Sequence, residues 1–191
     1  MAFLCIIAFV LGAIVLVLET LGALLLAPYF GTSVTTWSAL ITTTLAALAA
    51  GAALGGRFAD RRDPRNTLAS LLIGAALWLL IVPTARGVLL PPLTAFGIKF
   101  GALTAGALLF FAPLAALGAA TPLLVRLAVK AAGETGRAYG LMSAVSTIGG
   151  VLGALASGFW LLPNWSVTTV LVGTSVVLIL SAATVRWTVQ P

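Results

Sequence analysis

Long apolar runs separated by short polar segments dominate this sequence from its first residues. Each run is about 20 residues or longer, the length that a helix rising about 1.5 Å per residue needs to cross a hydrocarbon layer about 30 Å thick. The single-residue alternation that marks transmembrane β-strands is missing from these runs. The pattern therefore predicts six membrane-spanning helices, at residues 3–27, 35–57, 65–88, 102–128, 138–161 and 166–186.

The composition supports an integral membrane protein with one all-α domain over residues 1–191. Hydrophobic residues make up 61% of the chain and charged residues only 7%, while the mean hydropathy is +1.20. An ordinary soluble domain has about 25% charged residues. The chain has no histidine, one cysteine and four acidic residues, so we expect no metal site and no cofactor.

The ten basic residues are divided unequally between the two ends of the predicted bundle. Arg86 and Lys99 fall on one side, and the other eight share the side of both termini: Arg57, Arg61, Arg62, Arg65, Arg126, Lys130, Arg137 and Arg186. Lys and Arg are enriched in cytoplasmic loops of membrane proteins. We therefore expect both termini to be cytoplasmic, and we assign the net charge of +6 to topology and not to nucleic-acid binding.

Two connections between predicted helices contain residues that indicate their local structure. In "GGRFADRRDPRN", residues 55–66, we expect a tight charged loop in which Asp63 caps the next helix and Pro64 is its first residue. In "LLPPLTAFGIKFG", residues 89–101, two prolines and a single charge predict an extended or short helical segment in the membrane interface.

Small residues at four-residue spacing mark helix-packing surfaces. Gly51 and Gly55 form one such pair in the second helix; the fifth helix has Gly149 with Gly153, and Ala154 with Gly158. Small residues let two helix backbones approach closely inside lipid. Such a pattern is common in membrane helix bundles, so we favour packing within this chain over a contact with another subunit.

Glu19 is the intramembrane residue that most needs an explanation. It lies about 24 Å along the first helix, nearer the outer boundary than the bilayer centre, on the same face as Gly12 and Ala23. Intramembrane carboxylates usually face the bundle interior and have a partner. Glu19 is therefore a candidate cation or proton site, a charge partner of Arg86 or Lys99, or a structural hydrogen-bonding group.

Three stretches resemble a known family: "ETLGALLLAPYFGTSVTTWSALI", "GGRFADRR" and "GRAYGLMSAVSTIGGVLGALASGFWLLP". Together they are similar to the membrane region of bacterial fused proteins that join a major-facilitator-like helical domain to a spermidine-synthase-like domain. The resemblance implies half of a major facilitator fold in a bacterial inner membrane. It also implies that the cytoplasmic motif formed by Gly56, Arg57, Asp60, Arg61 and Arg62 acts as a conformational latch.

The sequence departs from this family in two places. Position 24 is Leu24, where the family often has an arginine that could pair with the first-helix glutamate. No region similar to the synthase domain occurs in these 191 residues, and neither a glycine-rich phosphate loop nor a nucleophile with a histidine base is found. We therefore expect a protein that is not an enzyme.

Two functions fit these features. The first is a non-catalytic membrane subunit or anchor that holds a separately encoded partner, with Arg57, Arg61, Arg62, Arg65, Lys130 and Arg137 available to an acidic surface. The alternative is a half-size major-facilitator-like transporter that works as a homodimer on a small cationic or amine substrate. The predicted membrane helices contain few polar groups that could form a transport pathway, which favours the subunit over the transporter.

Overall fold

The computed structural model describes residues 1–61, 63–132 and 135–188, and this part of the chain is all-α, as the hydrophobic pattern predicts. The elements in chain order are α1 (Ala2–Phe30), α2 (Val34–Arg61), α3 (Pro64–Leu93), a 3₁₀ turn (Thr94–Phe96), α4 (Gly97–Ala132), α5 (Thr135–Ala156), a π-helical turn (Ser157–Leu161), α6 (Leu162–Asn164) and α7 (Val167–Thr188).

Within the described residues, five continuous helical segments are long and apolar enough to cross a membrane: Ala2–Phe30, Val34–Asp60, Pro64–Val129, Gly136–Asn164 and Val167–Trp187. The third of these segments is 66 residues long and folds back on itself. Gly97, with φ of 72°, provides a backbone conformation that few other residues adopt. Across the resulting hairpin, the Trp78 indole Nε1 donates to the Leu109 carbonyl at 3.0 Å.

The connection between α3 and α4 is almost entirely helical, which agrees with the helical alternative of the prediction and not with the extended one. α3 continues to Leu93, a 3₁₀ turn follows, and α4 begins at Gly97. Proline fixes φ near the helical value, and what it costs a helix is the hydrogen bond to the carbonyl four residues earlier. For Pro91 and Pro92 these carbonyls belong to exposed residues of the same helix, where polar headgroups and water can satisfy them.

The basic connection is also shorter than predicted. α2 extends to Arg61, so Gly56, Arg57 and Asp60 lie in the last turns of a helix and not in a loop. The expected cap is confirmed: the Asp63 carboxylate accepts from the Arg65 backbone N–H at 3.2 Å, and Pro64 is the first helical residue. The helix thus continues until the Asp-Pro pair begins the next one.

Two pairs of helices run parallel with their backbones in contact. α1 and α5 meet where a Cβ added to Gly149 would overlap the Phe9 carbonyl and, four residues further along both helices, one added to Gly153 would overlap the Ala13 carbonyl. α2 and α4 meet in the same way, with Gly51 against the backbone of Ala115. These contacts require glycine because any larger residue would force the two backbones apart.

α3 and α7 pack against each other, and α3 also packs on α4. The proline of α4 explains one contact in this region. Pro113 has no N–H to donate to the Leu109 carbonyl, and the Trp78 indole fills the vacancy. A proline that would otherwise leave an unsatisfied carbonyl inside the membrane therefore helps to fix the α3–α4 hairpin.

Candidate functional site

A cavity of about 1030 Å³ lies among α1, α2, α4 and α5. Its wall on α1 consists of Ala8, Leu11, Gly12, Val15 and Leu16, which form one face of that helix. Most of the remaining wall is apolar too, and the cavity reaches toward the end of the bundle that carries Met1, where Tyr139 is exposed. Its size lies at the upper end of the range for small-molecule sites.

Hydroxyl groups enter this cavity from two helices. Tyr139, Ser143, Ser146 and Thr147 lie on α5, and Thr121 faces them from α4. The Thr147 hydroxyl donates to the Ser143 carbonyl at 2.9 Å, so its oxygen can still accept from a ligand. No charged side chain is among the described residues that line the cavity.

A proline leaves one backbone carbonyl of α4 without its helical hydrogen bond in this region. Pro122 and Gly118 both line the cavity, and Pro122 has no N–H to donate to the Gly118 carbonyl four residues before it. The serines and threonine of α5 were visible in the sequence, but Thr121 and this carbonyl were missed. The signal for both was a proline inside a predicted membrane helix.

Glu19 is not among the residues that line the cavity and lies just beyond them along α1, on the side away from Tyr139. It is one helical turn beyond Val15 and Leu16 on the face of α1 that forms the wall. The Glu19 side chain is half-buried, and helical side chains lean toward the N-terminus of their helix, which is the direction of these two residues. One turn further along α1 the helices pack closely, since a Cβ at Gly22 would lie 3.0 Å from a Leu40 methyl group.

The structure does not give Glu19 either of the protein partners proposed for it. Arg86 is half-buried on α3 and Lys99 is exposed near the start of α4, whereas α1 packs chiefly on α4 and α5. Among the described residues, Glu19 makes no ion pair and no side-chain hydrogen bond. The charge-pair, hydrogen-bond and cation-site interpretations of Glu19 therefore all stay predictions.

The described hydrogen bond between side chains of neighbouring helices in this region is made by Thr20, the residue after Glu19. The fully buried Ser157 hydroxyl donates to the Thr20 hydroxyl at 3.2 Å and so joins the π-helical turn to α1. The wider π turn changes which side chains face inward. As a result Gly158, which we expected at a packing surface, faces open space, while Gly149 and Gly153 contact α1.

Basic side chains gather at the end of the bundle that carries Met1. The parallel α1–α5 and α2–α4 pairs bring together the ends of α2 and α4 and the starts of α3 and α5. Three arginines at this end, Arg57, Arg126 and Arg137, are exposed, as is Arg186 near the end of α7. Of the latch motif, Arg62 and the Arg61 side chain lie outside the described residues, so the latch stays a prediction.

Comparison with known protein families, curated proteins and solved structures gives no match to this chain. The resemblance to the fused major-facilitator-like proteins is therefore still a prediction. The described residues also contain no group of three or more histidine, cysteine or acidic side chains that could hold a metal ion. Two features of the described residues are candidate functional sites: the cavity near Glu19, and the basic end of the bundle.

Proposed function

We propose that this chain is a non-catalytic integral membrane subunit that holds a separately encoded partner at a bacterial inner membrane. In this proposal the α3–α4 hairpin supplies two of six crossings, and both termini lie in the cytoplasm with the basic end. The partner docks there through an acidic surface. Orientation follows from the excess of arginine and lysine at that end.

The observation that carries the proposal is the exposure of arginines from separate helices at one end. Arg57, Arg126 and Arg186 come from α2, α4 and α7 and are all exposed. Guanidinium groups bind carboxylates through paired hydrogen bonds. Exposed charge pairs contribute only about 0–1 kcal/mol each, so docking requires several of them together.

Co-purification of variants tests this proposal. The triple variant Arg57→Gln/Arg126→Gln/Arg186→Gln should lose a partner that stays with the unchanged protein, and the loss should increase with salt. Arg86→Gln/Lys99→Gln is the matched control, since it removes positive charge from the opposite end. Equal recovery with both variants, each inserted normally in the membrane, would overturn docking at the basic end.

The cavity favours a second candidate, a half-size transporter in which two copies build one pathway for a small cationic or amine substrate. A cavity among four helices, with hydroxyls on two sides and a carboxylate just beyond one end, is a reasonable half of such a pathway. This candidate predicts a homodimer whose flux is lost in Glu19→Gln. A strictly monomeric protein argues against it.

A further inference from the structure

We infer that the cavity among α1, α2, α4 and α5 binds a lipophilic monocation, with the apolar body of the ligand in the cavity and its positive charge directed toward Glu19. This refines the substrate class of the second candidate function and does not rest on docking at the basic end. Binding requires neither flux nor a second copy, so it can fail or succeed independently of both.

Glu19 provides the negative charge that would attract the cation. An ionised carboxylate inside the hydrocarbon layer is costly unless it is paired, and the described residues offer Glu19 no partner. The nearest wall residues, Val15 and Leu16, are apolar. A cation at the end of the cavity beside Val15 and Leu16 would lie about one helical turn from Glu19, the acidic residue of α1.

The rest of the wall determines what the ligand body is like. It is mainly apolar, and the polar side chains among its described residues carry uncharged hydroxyls. An aromatic or aliphatic body would bury apolar surface here at little polar cost. A polyamine is excluded on the same grounds, because its additional ammonium groups would lose hydration with no counter-charge in the wall.

The experiment measures binding of tetraphenylphosphonium to the full-length protein in lipid nanodiscs, with triphenylphosphine oxide as the uncharged analogue and spermidine as the polycation. Glu19→Gln should weaken tetraphenylphosphonium binding about ten- to a hundredfold, the range of the Coulombic attraction between unit charges about 6–12 Å apart at an effective dielectric constant of about 20, and leave binding of the oxide within about threefold. Val151→Trp should weaken both, since Val151 is an exposed residue of the cavity wall.

Asp63→Asn is the matched control, because it removes an exposed carboxylate from the other end of the molecule while asparagine can still cap the helix. It should leave all three affinities unchanged. The inference is overturned if Glu19→Gln binds tetraphenylphosphonium as tightly as the unchanged protein, if Val151→Trp has no effect, or if the folded protein binds no more of the cation than empty nanodiscs. Spermidine binding as tightly as tetraphenylphosphonium would overturn the assignment of a single charge.

Discussion

Replacing Gly149 by alanine should destabilise the bundle, whereas replacing Gly158 by alanine should not. The two glycines belong to the same continuous helical segment, and the sequence pattern assigns both to packing surfaces. In the structure a Cβ at Gly149 would overlap the Phe9 carbonyl, but one at Gly158 would meet nothing within 4 Å. Comparing these two variants therefore distinguishes the cost of the backbone contact at Gly149 from the gain that alanine gives to any helix.

The magnitude follows from two opposing terms. Alanine favours a helix by about 1 kcal/mol relative to glycine, and this gain applies to both substitutions. Overpacking costs about 1–3 kcal/mol and applies only to Gly149→Ala, because the neighbour is a backbone carbonyl that cannot rotate away. Gly149→Ala should be less stable than Gly158→Ala by about 1–3 kcal/mol.

The assay is unfolding of each purified variant in mixed micelles by increasing sodium dodecyl sulfate, followed by circular dichroism. Gly74→Ala, another glycine with open space around it, is a second control and should behave like Gly158→Ala. Equal unfolding midpoints for Gly149→Ala and Gly158→Ala would refute the close α1–α5 contact. The same result would show that the parallel pairs do not depend on glycine.

Three smaller changes test other contacts. Trp78→Phe removes the indole donor from the Leu109 carbonyl and should cost about 1–3 kcal/mol, since that carbonyl is left unsatisfied; equal stability in the same micelle assay would refute the bond. Asp63→Ala should cost about 1 kcal/mol through loss of the α3 cap, whereas Asp63→Asn should retain most of it. A double-mutant cycle of Thr20→Val and Ser157→Ala should give a coupling of about 0.6 kcal/mol, and additive effects would exclude the hydrogen bond.

The sequence predicted the positions of the helices well because membrane spans depend on length and hydrophobicity, which are local properties. It also identified Asp63 as a cap, since that signal is contained in an Asp-Pro pair. The connection between α3 and α4 was predicted only as extended or short helical, because proline often ends a helix, whereas the hydrogen bonds lost at Pro91 and Pro92 fall on exposed carbonyls.

The candidate site was only partly accessible from the sequence. Glu19 was identified by its chemistry, but the cavity is produced by the relative placement of four helices, which no single helix encodes. Gly158 shows the same limit: its spacing is that of a packing residue, yet a π turn at Ser157 reorients it. The freed carbonyl of Gly118 follows from Pro122, although the place of these two residues in the cavity wall does not.

The most direct test of the proposed subunit is native mass spectrometry of the protein extracted gently from its own membrane. The account predicts a complex with a different polypeptide that persists in Arg86→Gln/Lys99→Gln and is lost in Arg57→Gln/Arg126→Gln/Arg186→Gln. A homodimer that survives both sets of substitutions would contradict docking at the basic end and favour transport by two copies. A strictly monomeric protein would contradict both functions.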